Sequence, residues 1–133
     1  MTEVARPRRT PGADHPISIE RHDGRVVVRH GDVVLAVTDR ALVLREAGYA
    51  PVHYVPVADV AEGVLRASER RTYCPYKGDA TYDDVVAEGF EVRDAAWRYR
   101  APFDEVGAIA GHVAFYPHLV TITVEPVAAP PPR

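Results

Sequence analysis

The chain contains no Asn and no Gln, and only one Cys, one Met, one Trp and one Lys. One cysteine excludes an internal disulfide and every zinc site built from several thiolates. No stretch approaches the roughly 18 consecutive apolar residues of a membrane-spanning helix. Arg6, Arg8 and Arg9 near the start are followed by no apolar run, so this stretch does not read as a secretory leader, and a cytoplasmic location is expected. A net charge of −3 offers no general field for nucleic acid or an anionic membrane, and neither is expected as a partner.

Of the 16 basic residues only Lys77 is lysine. Scarce Lys, Asn and Gln beside abundant Ala, Val, Arg and Pro is the bias of a GC-rich genome. Under it, Arg serves wherever a plain positive charge is enough. A retained lysine draws attention because an ammonium is compact and, when desolvated, can act as a base or nucleophile. The plainer reading is a surface lysine kept by chance.

What is present fits one folded domain: 133 residues, 47% apolar and 26% charged. Prolines concentrate in residues 1–16 and 126–133, which read as a flexible N-terminal tail and a Pro-rich C-terminal tail. Residues 17–125 remain as a single β domain. Val-rich runs at 25–30 and 32–37 flank Gly31 and predict a hairpin. Short runs follow at 41–45 and 52–55. Val57, Val60, Ala61 and Val64 after Pro56 predict a short helix over 57–65. Strands are predicted at 81–86 and 90–99 around Glu88-Gly89, a helical turn at 103–108, and strands at 112–116 and 119–124. Some eight short strands argue for a mainly β domain, either a compact barrel or a sandwich-like sheet.

The densest chemistry lies in Tyr73-Cys74-Pro75-Tyr76-Lys77-Gly78-Asp79, which joins the sole Cys and sole Lys to two tyrosines and a turn-permitting glycine. A thiol attacks only as thiolate, which a nearby ammonium favours. Lys77 and Cys74 are therefore the candidate catalytic pair, with Asp79 placed to hold Lys77 or orient a ligand. A strand entering a turn, with Cys74 in the core, explains the same residues. His112 and Tyr116 share one strand face and form a candidate acid and base, as do Trp97 and Tyr99 for a pocket wall. Arg45-Glu46 ends an apolar run, as an ion pair or as an anion-binding Arg. No pair among the six histidines is spaced for a metal, and no metal or cofactor is expected. GxSxG, P-loop, Rossmann and HExxH motifs are absent, and Asp83-Asp84 lacks the Gly-Ser turn of a nucleotidyltransferase.

The segments AVTDRALVLREAGY (36–49), HYVPVADV (53–60), TYCPYKGDATY (72–82), AAWRYRAP (95–102) and GHVAFY (111–116) resemble domain of unknown function 427, a mostly bacterial family. The resemblance runs from about residue 24 to 124, and the Cys-Pro-Tyr-Lys-Gly run is its most specific part. It implies a β-tent (Mss4-like) fold and brings no established activity. Its pattern covers Arg45, Glu46, Tyr54, Cys74, Tyr76, Lys77, Gly78, Tyr82, Trp97, Tyr99 and Tyr116. Arg100 stands where the family often has Pro. The zinc-holding cysteines of β-tent relatives are missing here. The leading expectation is a small-molecule ligand in an aromatic pocket around the CPYKGD segment. Tyr54, Tyr76, Tyr82, Trp97, Tyr99 and Tyr116 would line it, and Lys77 and Arg45 would meet an anionic group. The alternatives are a non-enzymatic protein-interaction or regulatory module, and a redox sensor through Cys74. A homo-oligomer is left open.

Overall fold

A computed structural model describes residues 6–126. Runs in which every second side chain is apolar bury one face only by pairing with neighbours, and ten antiparallel strands form among the described residues. They are β1 (Ile17–Arg21), β2 (Gly24–His30), β3 (Val33–Thr38), β4 (Leu42–Glu46), β5 (Val52–Pro56), β6 (Leu65–Cys74), β7 (Gly78–Ala87), β8 (Phe90–Arg98), β9 (His112–Phe115) and β10 (Thr121–Pro126). The larger sheet has the order β1-β4-β5-β9-β8-β7-β6, and the smaller has β10-β2-β3. Both sheets are open, so of the two expected arrangements the closed barrel is not the one formed. The mainly β expectation holds.

The β2–β3 hairpin turns at Gly31, in the left-handed region at φ 58 as a tight turn requires. Its inward residues Val26, Val28 and Leu35 meet Val55, Val113 and Phe115 of the larger sheet in a core between the two sheets. The opposite face of the larger sheet carries a second core of Leu44, Tyr54, Tyr82, Tyr99 and Ala114, roofed by Val106 and Ile109. Those two roof residues come from a 3₁₀ segment, Asp104–Ile109, kinked at Val106. The functional side chains lie on this second face.

Three elements differ from expectation. The predicted helix over 57–65 is only a 3₁₀ turn, Val57–Asp59. Val60 then bridges Ala36, the Ala61 amide bonds the Leu35 carbonyl at 2.8 Å, and Gly63 takes φ 81. Pairing with the β3 edge draws this segment out of helical geometry. Strand β1, with Ile17 and Ile19 packed on the second core, and the ten-residue β6 were not anticipated. Charged residues fill β6 (Arg66, Glu69, Arg70, Arg71) because it is a sheet edge, where charge discourages pairing with other chains.

Two bulges flank β7. Ser68, Glu69 and Arg70 of β6 lie opposite Tyr82, and Arg93, Asp94 and Ala95 of β8 lie opposite Asp84. Asp94 sits at φ 50, and its amide, left out of the ladder, donates to Asp84 Oδ1 at 2.8 Å. The Ser68 hydroxyl donates to Asp94, tying the bulges together. Bulges bend and twist a sheet, and this pair curves its β6–β8 end.

Among the described residues no helix is long and apolar enough to cross a membrane. Residues 1–5 of the expected N-terminal tail and 127–133 of the expected C-terminal tail lie outside the described residues. Pro126 closes β10, pairing with Gly24.

Candidate functional site

The site is built on the β6–β7 turn. The Lys77 amide donates to the Cys74 carbonyl at 3.2 Å, closing the turn, and Gly78 exits it at φ 108, a conformation that disfavours a side chain. The Phe103 amide bonds the Lys77 carbonyl at 3.0 Å and ties the turn to the loop before the 3₁₀ segment. Held at both ends, the Lys77 side chain points inward and is only 10% exposed.

Its ammonium donates to Glu46 Oε1 at the end of β4. The second oxygen, Oε2, lies 2.8 Å from Nε2 of His15. An ionised carboxylate only accepts, so His15 donates through Nε2. The His15 ring stacks on Tyr76 at 3.9 Å, nearly parallel. Burial pushes the Glu46 carboxyl upward, but the hydrogen bonds from Lys77 and His15 outweigh it and hold the group below its ordinary range.

A cavity of about 350 Å³ opens beside this pair. Lys77 and Glu46 supply its polar end, and Leu44, Val52, Tyr54, Trp97 and Tyr99 give it apolar and aromatic walls. Tyr49, 70% exposed, stands at the mouth. Lys77 Nζ lies 5.8 Å from the centre of the Tyr99 ring, at the reach of a cation–π contact. Burial drives the Tyr54 and Tyr99 hydroxyls well above the ordinary tyrosine range, so both remain hydrogen-bond donors at neutral pH. The arrangement suits an acceptor-bearing head held by Lys77, with a planar or apolar body among the rings.

The structure brings together five of the expected residues at this cavity: Glu46, Tyr54, Lys77, Trp97 and Tyr99. Arg45 points away from it, by strand alternation, and lies 4.0 Å from Glu20. Asp79 pairs with Arg6 rather than with Lys77. Cys74 is half-buried against the second core, while Lys77 turns to Glu46. Tyr82 and Tyr116 form a neighbouring group. Tyr82 lies under the Arg70 guanidinium with its hydroxyl 2.9 Å from Thr72 Oγ1, and Tyr116 packs 4.4 Å from Trp97. His112 is bound through Nδ1 to the Ala110 carbonyl at 2.9 Å. No group of three or more His, Cys, Asp or Glu among the described residues is placed to hold a metal ion.

Sequence reasoning did not single out His15, Tyr49, Leu44 or Val52 for the site. Leu44 and Val52 face each other across β4 and β5, a partnership that no local pattern displays. Tyr49 alone carried a signal, as one of the two aromatics that lie before Tyr73.

No curated protein matches the chain. The profile of a family described as a domain of unknown function (DUF427) matches residues 18–126, which includes every cavity residue, and the chain belongs to that family.

Proposed function

We propose that this protein binds a small organic ligand in the cavity beside Lys77, with a carboxylate or similar acceptor group on the ammonium. One observation carries the reading: the sole lysine of an arginine-rich chain is buried at the polar end of a cavity otherwise walled by Tyr54, Trp97 and Tyr99. A surface lysine kept by chance has no reason to be there. The volume matches the lower range of small-molecule pockets, about 300–1,000 Å³. If the bound molecule reacts, Lys77 serves as a fixed positive charge, because an ammonium in contact with a carboxylate is a donor first. The free cysteine and the family resemblance support a cytoplasmic bacterial protein with a β-tent fold.

The test is a thermal-shift screen of small acids, nucleotides and metabolites against wild type and Lys77→Ala. A ligand at 100 times its Kd stabilises wild type by about 2.7 kcal/mol, and the same compound leaves Lys77→Ala unmoved. Equal stabilisation of both proteins by every active compound would place binding elsewhere and end this reading. A second reading, a protein-interaction module, is favoured by Val33, Val34 and Val37, which are exposed on the β3 edge strand. A screen with no active compound shifts the weight to it.

A further inference from the structure

His15 lies before the family-matched region, in a stretch rich in proline and arginine, yet this stretch is fastened to the site. The Arg9 amide donates to the Pro75 carbonyl at 2.9 Å, and the Tyr73 hydroxyl donates to the Pro7 carbonyl at 2.7 Å. Arg8 stacks over Phe103 at 4.1 Å and pairs with Glu105 at 2.9 Å. These contacts bring His15 onto Tyr76 and onto the oxygen of Glu46 that Lys77 leaves open.

We propose that His15 is a positioning residue of the Lys77 site, holding Glu46 against the ammonium, and that its protonation sets the charge the cavity presents. The geometry supplies the mechanism. Nε2 donates to Glu46 in both protonation states, because the neutral ring in this contact carries its hydrogen there. Protonation therefore adds a hydrogen at Nδ1 and a positive charge, without breaking the contact. With His15 neutral, Lys77 and Glu46 cancel. With His15 charged, the three groups sum to one positive charge, and an anionic head is drawn in more strongly. The groups facing His15 are Glu46 from β4 and Tyr76 from the turn, with Lys77 on the far oxygen of Glu46. Asp14 and Arg9 are the nearest charges in sequence on its own segment. Histidine is the side chain suited to such a change, since its ordinary titration falls in the mildly acidic range. The preference for anions rests on the small-molecule reading above. The coupling between His15 and Lys77 does not, and it can be measured without a ligand.

A chain with one lysine supplies its own reporter. Protein labelled with ¹³C at the lysine ε-carbon gives a single lysine Cε resonance, which is followed from pH 4.5 to 9. Wild type is expected to show an inflection where the charge on the His15 ring changes. His15→Gln keeps a neutral donor and His15→Phe keeps a flat ring over Tyr76, and both lose the inflection. A wild-type resonance that is featureless through this range overturns the proposal without reference to any variant. An inflection that survives unchanged in both variants, with their amide spectra native, assigns it to another group and overturns it equally. A failed ligand screen leaves this titration intact, so the two readings fall separately.

Discussion

Asp83 and Arg98 put a charged pair where the sequence suggested only an acidic doublet. Asp83 is 1% exposed and Arg98 16%, on the face of the larger sheet that meets the smaller one. Arg98 Nη2 donates to Asp83 Oδ1 at 3.2 Å. Arg98 Nε faces Oδ2 at 3.0 Å but off the line of a hydrogen bond, and neither of those two atoms has another partner. A desolvated pair of this kind adds little over well-packed apolar side chains, while removing one partner strands the other charge. Asp83→Ala is therefore expected to cost about 3–5 kcal/mol in urea unfolding, and the double change Asp83→Ala, Arg98→Met to recover a large part of it. A loss below about 1 kcal/mol for the single change would mean that Arg98 escapes to water. Lys77 stood out by its rarity, which composition displays directly. Its partner Glu46 is 31 positions away, and so is His15 from Glu46, and no local pattern shows such pairings.

At the scale of elements, strands with a buried face were legible because alternation is written along the chain. The β2–β3 hairpin, β4, β5, β7, β8 and β9 all fall within a few residues of expectation. Strand β6 was hidden because this edge strand is exposed along most of both its faces, so charge is tolerated on either and the period of two is broken. The bulges at Ser68–Arg70 and Arg93–Ala95 were hidden too, since they depend on register between strands. Glycine marks one place where sequence and pairing meet. Gly24 opens β2 at φ 140, and an added Cβ would lie 2.0 Å from the Glu125 carbonyl oxygen of β10. Backbone cannot yield as a flexible side chain does, so Gly24→Ala has to open the β2–β10 ladder at this end. It is expected to destabilise by about 3 kcal/mol, through strain and overpacking together. Hydrogen exchange at the β10 amides is the measurement. Protection lost along β10 and retained in β7 supports this account, and protection unchanged in β10 contradicts it.

Across the whole molecule, the ionisable groups act in concert on pH. Glu46 is held below its ordinary range, burial being outweighed by Lys77 and His15, and Asp84 is lowered by the Asp94 amide and Arg66. Arg40 and Thr38 lower Asp59, and Arg25 and Arg6 lower Asp39 and Asp79. His53 is lowered as well, by burial and by the neighbouring His22 and Arg45. In each case the unfolded chain takes up a proton at a higher pH than the folded one does. Their contribution is thus complete above the unfolded values and is lost as pH falls through the folded ones. His53 begins the loss in the mildly acidic range, and the carboxylates continue it below about pH 4. At the other end, Tyr54 and Tyr99 are raised by burial, so stability is full below the ordinary tyrosine value of about 10 and declines above it. Urea midpoints across pH should therefore trace a plateau from about pH 7 to 9 that falls on both sides. Salt separates the contributors. The exposed pairs Arg25–Asp39 and Arg6–Asp79 are screened at 1 M NaCl, where the Debye length is about 3 Å, while the enclosed Lys77–Glu46–His15 group is not. The acid limb should then flatten only in part with salt, and Glu46→Gln should remove much of what salt leaves. An acid limb abolished by salt in wild type would show that surface pairs carry the whole effect, and that the site on which the functional reading depends is open to solvent.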